Sequence, residues 1–199
     1  TALQGVMLAQ LIIGVLGVLA ITGEYSTGMI RSTFTMVPRR LPVLWAKIAV
    51  LTAVTFAAML VTAFVAFFAG QALIGSGGAI ATASIGDPDV LRTLIGTAGY
   101  LTGVALIGLA AGTLLRSTAG AISTLVAIVF LLPGLGAVLL PTSWQDNVLK
   151  YLPSNAGSAF TSVTPPHGML SPTAGLLVFL AWIVVPLAAA AIAIKRRPA

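Results

Sequence analysis

Cysteine is absent, histidine occurs once, and only four carboxylates stand beside ten Lys and Arg in a chain of 199 residues. Without cysteine there is neither a disulfide nor a thiolate metal ligand. The few acids and the lone histidine form no His-Glu-x-x-His, and no Gly-x-Ser-x-Gly occurs. An enzyme would need convergent titratable groups that this chain does not offer, so no catalytic residue, metal or cofactor is expected in it. The glycine-rich run Gly75-Ser76-Gly77-Gly78 lacks the closing Gly-Lys-Ser/Thr of a phosphate cradle and reads as a loop. Charge is scarce as well, at 7% of residues, where a soluble domain carries about 25%.

Apolar residues fill the gap: 58% of the chain is hydrophobic, with a mean hydropathy of +1.09. Such a chain cannot clothe a soluble core, and the reading is an all-α integral membrane protein forming one domain over residues 1–199, without an internal repeat. Five stretches reach roughly the 20 residues that a bilayer core demands: 2–22, 43–73, 91–115, 119–140 and 173–194. The first holds Gln4, Gln10, Gly14 and Gly17 and is expected to end at Gly23 and Glu24. Pro42 suits the first turn of the second, where its missing N–H costs nothing, and Trp45 and Lys47 suit the membrane interface. The third carries Gly96, Gly99, Gly103, Gly108 and Gly112 at spacings that fit close helix contacts within the chain. Pro133-Gly134-Leu135-Gly136 interrupts the fourth, and Pro186 is expected to kink the fifth.

Between the last two spans, Trp144, Val148, Tyr151 and Leu152 fall at helical spacing and predict a short amphipathic helix. His167, beside Pro165-Pro166, reads as a solvated loop residue. From residue 43 onward the spans carry no ionisable side chain between their ends except Lys47 near one edge. This argues against a proton-coupled carrier, which needs charges at membrane depth.

The net charge of +6 would suggest nucleic acid in a soluble protein, but its placement points to topology and away from that partner. Arg31, Arg39, Arg40, Lys47, Arg116, Lys195, Arg196 and Arg197 fall at one end of the spans. Arg92 and Lys150 fall at the other, with Asp87, Asp89 and Asp146. The positive-inside bias puts the first group in the cytoplasm, so the chain starts outside and its C-terminus is cytoplasmic.

The stretch 23–40 is both charged and helix-patterned. At 100° per residue, Glu24, Thr27, Gly28, Arg31, Ser32 and Thr35 share one arc. Tyr25, Met29, Ile30, Phe34, Met36 and Val37 share the other, interrupted by Ser26 and Thr33. This predicts an amphipathic rod of about 14 residues lying at the membrane surface. Pro38 ends the rod, and Arg39 and Arg40 suit anionic headgroups.

Glu24-Tyr25-x-x-Gly28-x-Ile30-Arg31-x-Thr33, then Pro38-x-Arg40 and Ala46-Lys47, resembles the first cytoplasmic loop of permease subunits of bacterial ABC-2 type transporters. The resemblance covers 23–47 and implies a coupling helix that docks on a separate ATPase subunit, with Glu24, Tyr25, Thr27, Gly28, Arg31 and Thr35 at the contact. It also implies two ATPase chains holding ATP and Mg, a second permease chain, a bacterial plasma membrane location and export. A type V exporter-like fold of six spans follows too, so a further span is expected before Thr1. The segment 150–157 resembles one found before the final span of actinobacterial permeases of the family. This implies that short extracellular helices bearing Tyr151, Pro153 and Asn155 cap an exit. The alternative class is an ATP-independent membrane scaffold or channel-like protein.

Overall fold

A computed structural model of the protein describes residues 2–28, 40–75, 88–162 and 168–196. The expected rod from residue 29 onward, with Arg31, Thr35, Pro38 and Arg39, lies outside the described residues, as do Asp87 and His167. The described chain is all-helical. The helices are α1 (Ala2–Ser26), α2 (Arg40–Gly75), α3 (Pro88–Leu115), α4 (Thr118–Val126), α5 (Leu132–Leu139), α6 (Thr142–Val148), α7 (Pro153–Thr161) and α8 (Pro172–Arg196). A π-turn over Ala127–Leu131 joins α4 to α5 in one continuous rod. Among the described residues, five helical rods are long and apolar enough to cross a membrane, and the fourth of them is this α4–α5 unit.

Proline placement sets several of the starts. Pro88, Pro153 and Pro172 each open a helix, where φ is already helical and no intrahelical donor is lost. Pro42 sits in the first turn of α2. Pro133 falls inside a span, and the helix is not broken there. The Leu132 amide donates to Ala127 O, five residues back, and this wider turn accommodates the missing donor and the ring of Pro133. α8 likewise runs through Pro186 without ending.

α3 is the centre of the bundle, with 72% of its span buried, against 6% for the span in α2. Helices α1 and α8 lie against it and run parallel to it. Gly14, Gly17, Gly108 and Gly112 form the α1–α3 seam. A Cβ on Gly17 would overlap the Ala105 carbonyl group, and one on Gly112 would meet Ile21 and Thr22. On the other side, Gly103 receives the rings and branches of Phe179 and Ile183 from α8. These glycines act within the chain. Gly99, which the spacing also placed at a contact, has no atom near its missing Cβ.

A polar tie crosses the seam where the Tyr100 hydroxyl donates to Gln10 Oε1 at 2.7 Å. Both side chains are buried, so each would otherwise leave polar atoms unpaired in an apolar surround. Tyr100 also stacks at 5.1 Å on Phe179, which meets Phe160 at 5.7 Å.

α7 is buried more deeply than its sequence suggests. Pro153, Ala156, Gly157, Ala159 and Phe160 are all enclosed. It wedges between α3 and α8, with Gly157 against the Tyr100 ring and Phe160 O against Gly96.

The first span continues beyond its expected end. Glu24 and Tyr25 belong to the last turn of α1, and Gly28 stands outside it with φ +70°. Glycine takes that conformation without steric cost and stops the helix. The expected amphipathic rod therefore does not start at Glu24: a helix stop separates Glu24, Tyr25 and Thr27 from the residues that follow Gly28.

Candidate functional site

The parallel run of α1, α3 and α8 gathers three helix C-termini and the starts of α2 and α4 at one end of the bundle. Glu24, Tyr25, Lys47 and Arg116 meet there. Lys47 reaches back along α2, and its Nζ donates to Glu24 Oε1 at 2.6 Å and to Ala20 O at 3.0 Å. Its ammonium thus pairs with the acid and adds a second bond to a carbonyl near the C-terminal end of α1, the end of a helix that favours a cation. The pair keeps about a quarter or less of its side-chain surface open to solvent, at 20% for Lys47 and 26% for Glu24.

The α1 terminus is further tied off by its own hydroxyls. Ser26 Oγ and Thr27 Oγ1 donate to Gly23 O at 3.0 and 2.9 Å. The Arg116 guanidinium lies over the Tyr25 ring, 5.5 Å from its centroid, a cation–π geometry. Arg116 itself sits in the left-handed region at φ 52°, turning the chain from α3 into α4, and its amide closes α3 onto Gly112 O at 3.0 Å. Ser117 then caps α4 by accepting from the Gly120 amide at 3.3 Å.

Two buried polar atoms in this cluster find no hydrogen-bond partner among the described residues: Glu24 Oε2 and the Tyr25 hydroxyl. An unmet buried acceptor or donor costs about 1–3 kcal/mol. In sequence, both lie directly before the segment 29–39.

Of the residues singled out for coupling, Glu24, Tyr25, Thr27 and Gly28 are brought to this corner, and Lys47, assigned from sequence to the membrane surface, proves to be the partner of Glu24. Thr27 caps α1 with its hydroxyl, and Gly28 supplies the turn. The sequence shows Arg116 only as one of the basic residues at this end of the spans, and no signal ties it to Tyr25, 91 positions earlier. Arg40 opens α2.

Tyr151, Pro153 and Asn155, which the resemblance assigns to an exit, lie at the opposite end. The Asn155 side chain donates to Leu149 O at 2.8 Å, Tyr151 O accepts from Trp182 Nε1 at 2.8 Å, and Pro153 is the buried start of α7. These bonds fasten the segment 149–161 to itself and to α8. Among the described residues, no group of three or more His, Asp or Glu is placed to hold a metal ion.

No family model, no curated protein and no solved structure matches this chain. The functional reading therefore rests on its residues and their geometry.

Proposed function

We propose that this chain is the membrane-spanning permease subunit of an ATP-driven transporter of the ABC-2 kind, with the loop 23–40 as the lever on which a separate ATPase subunit acts. The observation that supports this reading is the joint between the two helices from which that loop departs. The Glu24–Lys47 bond joins the end of α1 to the start of α2. The glycine seam then presses α1 on α3, the most buried span. A push on the loop would pass through this corner into the bundle as a rigid-body movement, the general mode of alternating-access machines.

In the full assembly, two ATPase chains hold ATP and Mg, and a second permease chain completes the pathway in the bacterial plasma membrane, with the C-terminus cytoplasmic. The substrate is amphiphilic, whether lipid-like, peptide or drug-like, because the spans present apolar and small side chains and few fixed charges. Export is the direction. The helices 142–161 stand at the outer mouth.

Affinity purification of the tagged full-length protein in mild detergent tests this. A stoichiometric ATPase subunit is expected, with ATP hydrolysis several-fold above that of the subunit alone. A chain that purifies without any nucleotide-binding partner, from mild detergent and from native nanodiscs alike, supports the scaffold or channel reading instead.

A further inference from the structure

α6 follows the end of the α4–α5 span after a turn at Leu140 and Pro141, and it folds back beside that span. The Gln145 amide nitrogen donates to Ala137 O at 3.0 Å and to Leu140 O at 2.7 Å. Ala137 lies within the last turn of α5. Leu149, just beyond α6, packs against Gly136, whose missing Cβ leaves room for it. One edge of α6 and the turn after it is therefore bound to the span.

The other edge carries Trp144, Val148 and Tyr151, which are 61%, 42% and 48% exposed. The helix expected over Trp144, Val148, Tyr151 and Leu152 is shorter than its spacing suggests: it ends at Val148, a 3-10 turn covers Leu149–Tyr151, and Leu152 is extended. Trp144, Val148 and Tyr151 continue the outward apolar surface of the adjoining span, where Leu131, Leu132, Leu135, Val138 and Leu139 are exposed. Lys150 lies alongside, its ammonium 5.4 Å from the Tyr151 ring centroid.

We propose that the Trp144–Val148–Tyr151 edge is seated in the interfacial layer of the lipid bilayer, with Lys150 directed to the headgroups. Two features select lipid as the occupant. The edge is continuous with a span surface that acyl chains must cover, and its composition is that of an interfacial anchor: amphipathic rings with a snorkelling cation beside them. Gln145 fixes the depth by tying α6 to the last turn of the span. This inference needs only that the five rods cross a membrane and holds whether or not the chain couples to an ATPase.

The absence of cysteine from these 199 residues helps the test. Val148→Cys and, separately, Trp144→Cys carry a nitroxide in the full-length protein reconstituted in phosphatidylcholine and phosphatidylglycerol vesicles. Leu131→Cys, exposed and seven residues (about 10 Å) deeper in the adjoining span than Val138, serves as the hydrocarbon reference. Oxygen is expected to relax the labels at 148 and 144 more than a water-soluble nickel chelate does, with a ratio below that at 131. A nickel-dominated relaxation at both positions would place the edge in water and overturn the proposal. Labels immobilised and reached by neither relaxant would show a protein partner there and would overturn it equally.

Discussion

Gly17→Ala is expected to lower the stability of the bundle by about 2 kcal/mol, although alanine is the better helix former by about 1 kcal/mol. The two effects oppose each other, and geometry decides the sign. A Cβ on Gly17 would overlap the backbone carbonyl of Ala105, and a backbone cannot rotate aside as a side chain does. α1 would have to shift away from α3, loosening Val18 and Ile21, both buried in the seam. The same shift would strain the Gln10–Tyr100 bond.

Gly99→Ala is the matched control. It lies in α3 with nothing near its missing Cβ, so the propensity gain is unopposed and a stabilisation of up to about 1 kcal/mol is expected. Thermal unfolding in detergent, followed by helical circular dichroism, should move the two variants in opposite directions. A Gly17→Ala variant as stable as the parent would show that the seam is not closely packed.

Glu24→Lys is expected to reduce partner-stimulated ATP hydrolysis at least tenfold while leaving membrane insertion intact. The substitution sets two ammonium groups against each other at the root of the 29–39 segment and removes a charge-assisted bond worth about 1–3 kcal/mol. Partial solvent access puts the value at the low end of that range. The bundle would survive this loss, since its core lies elsewhere, but the joint between α1 and α2 would open.

The exchanged pair, Glu24→Lys with Lys47→Glu, restores opposite charges at the same two positions. Recovery of stimulated hydrolysis in the double variant is the expected result, and it would assign the effect to the joint. A double variant that regains stability but not hydrolysis would make Glu24 a direct contact to the ATPase. Full activity in Glu24→Lys alone would remove the residue from coupling altogether.

The five spans were legible because about 20 apolar residues in a row have no other use in a chain this poor in charge. The internal role of Gly108 and Gly112 was legible for a related reason: small residues at helical spacing promise close approach. Which glycines are used was not legible, since Gly99 has the same spacing and meets nothing. The end of α1 was misplaced because Gly23-Glu24 looks like a stop when read locally. It is helical in the fold because Lys47, 23 residues on, supplies the charge that lets Glu24 stay at the bundle's edge.

Long-range ties of this kind leave no periodic trace. Gln10 was visible as a polar residue in a span, but its partner Tyr100 was not, and neither was the Trp182 bond to Tyr151. α7 was hidden for a different reason. Ala156, Gly157 and Ala159 carry little hydropathy, yet their small size is what allows a short helix to wedge between α3 and α8.

The proposed coupling through the loop 23–40 requires Thr35 to lie against a nucleotide-hydrolysing neighbour at the inner membrane surface. A photo-crosslinking amino acid at Thr35, activated in intact cells, reads this directly. An adduct with a cytosolic ATPase subunit is expected, strengthened when ATP is trapped. Adducts with lipid alone, or with a periplasmic protein, would contradict it.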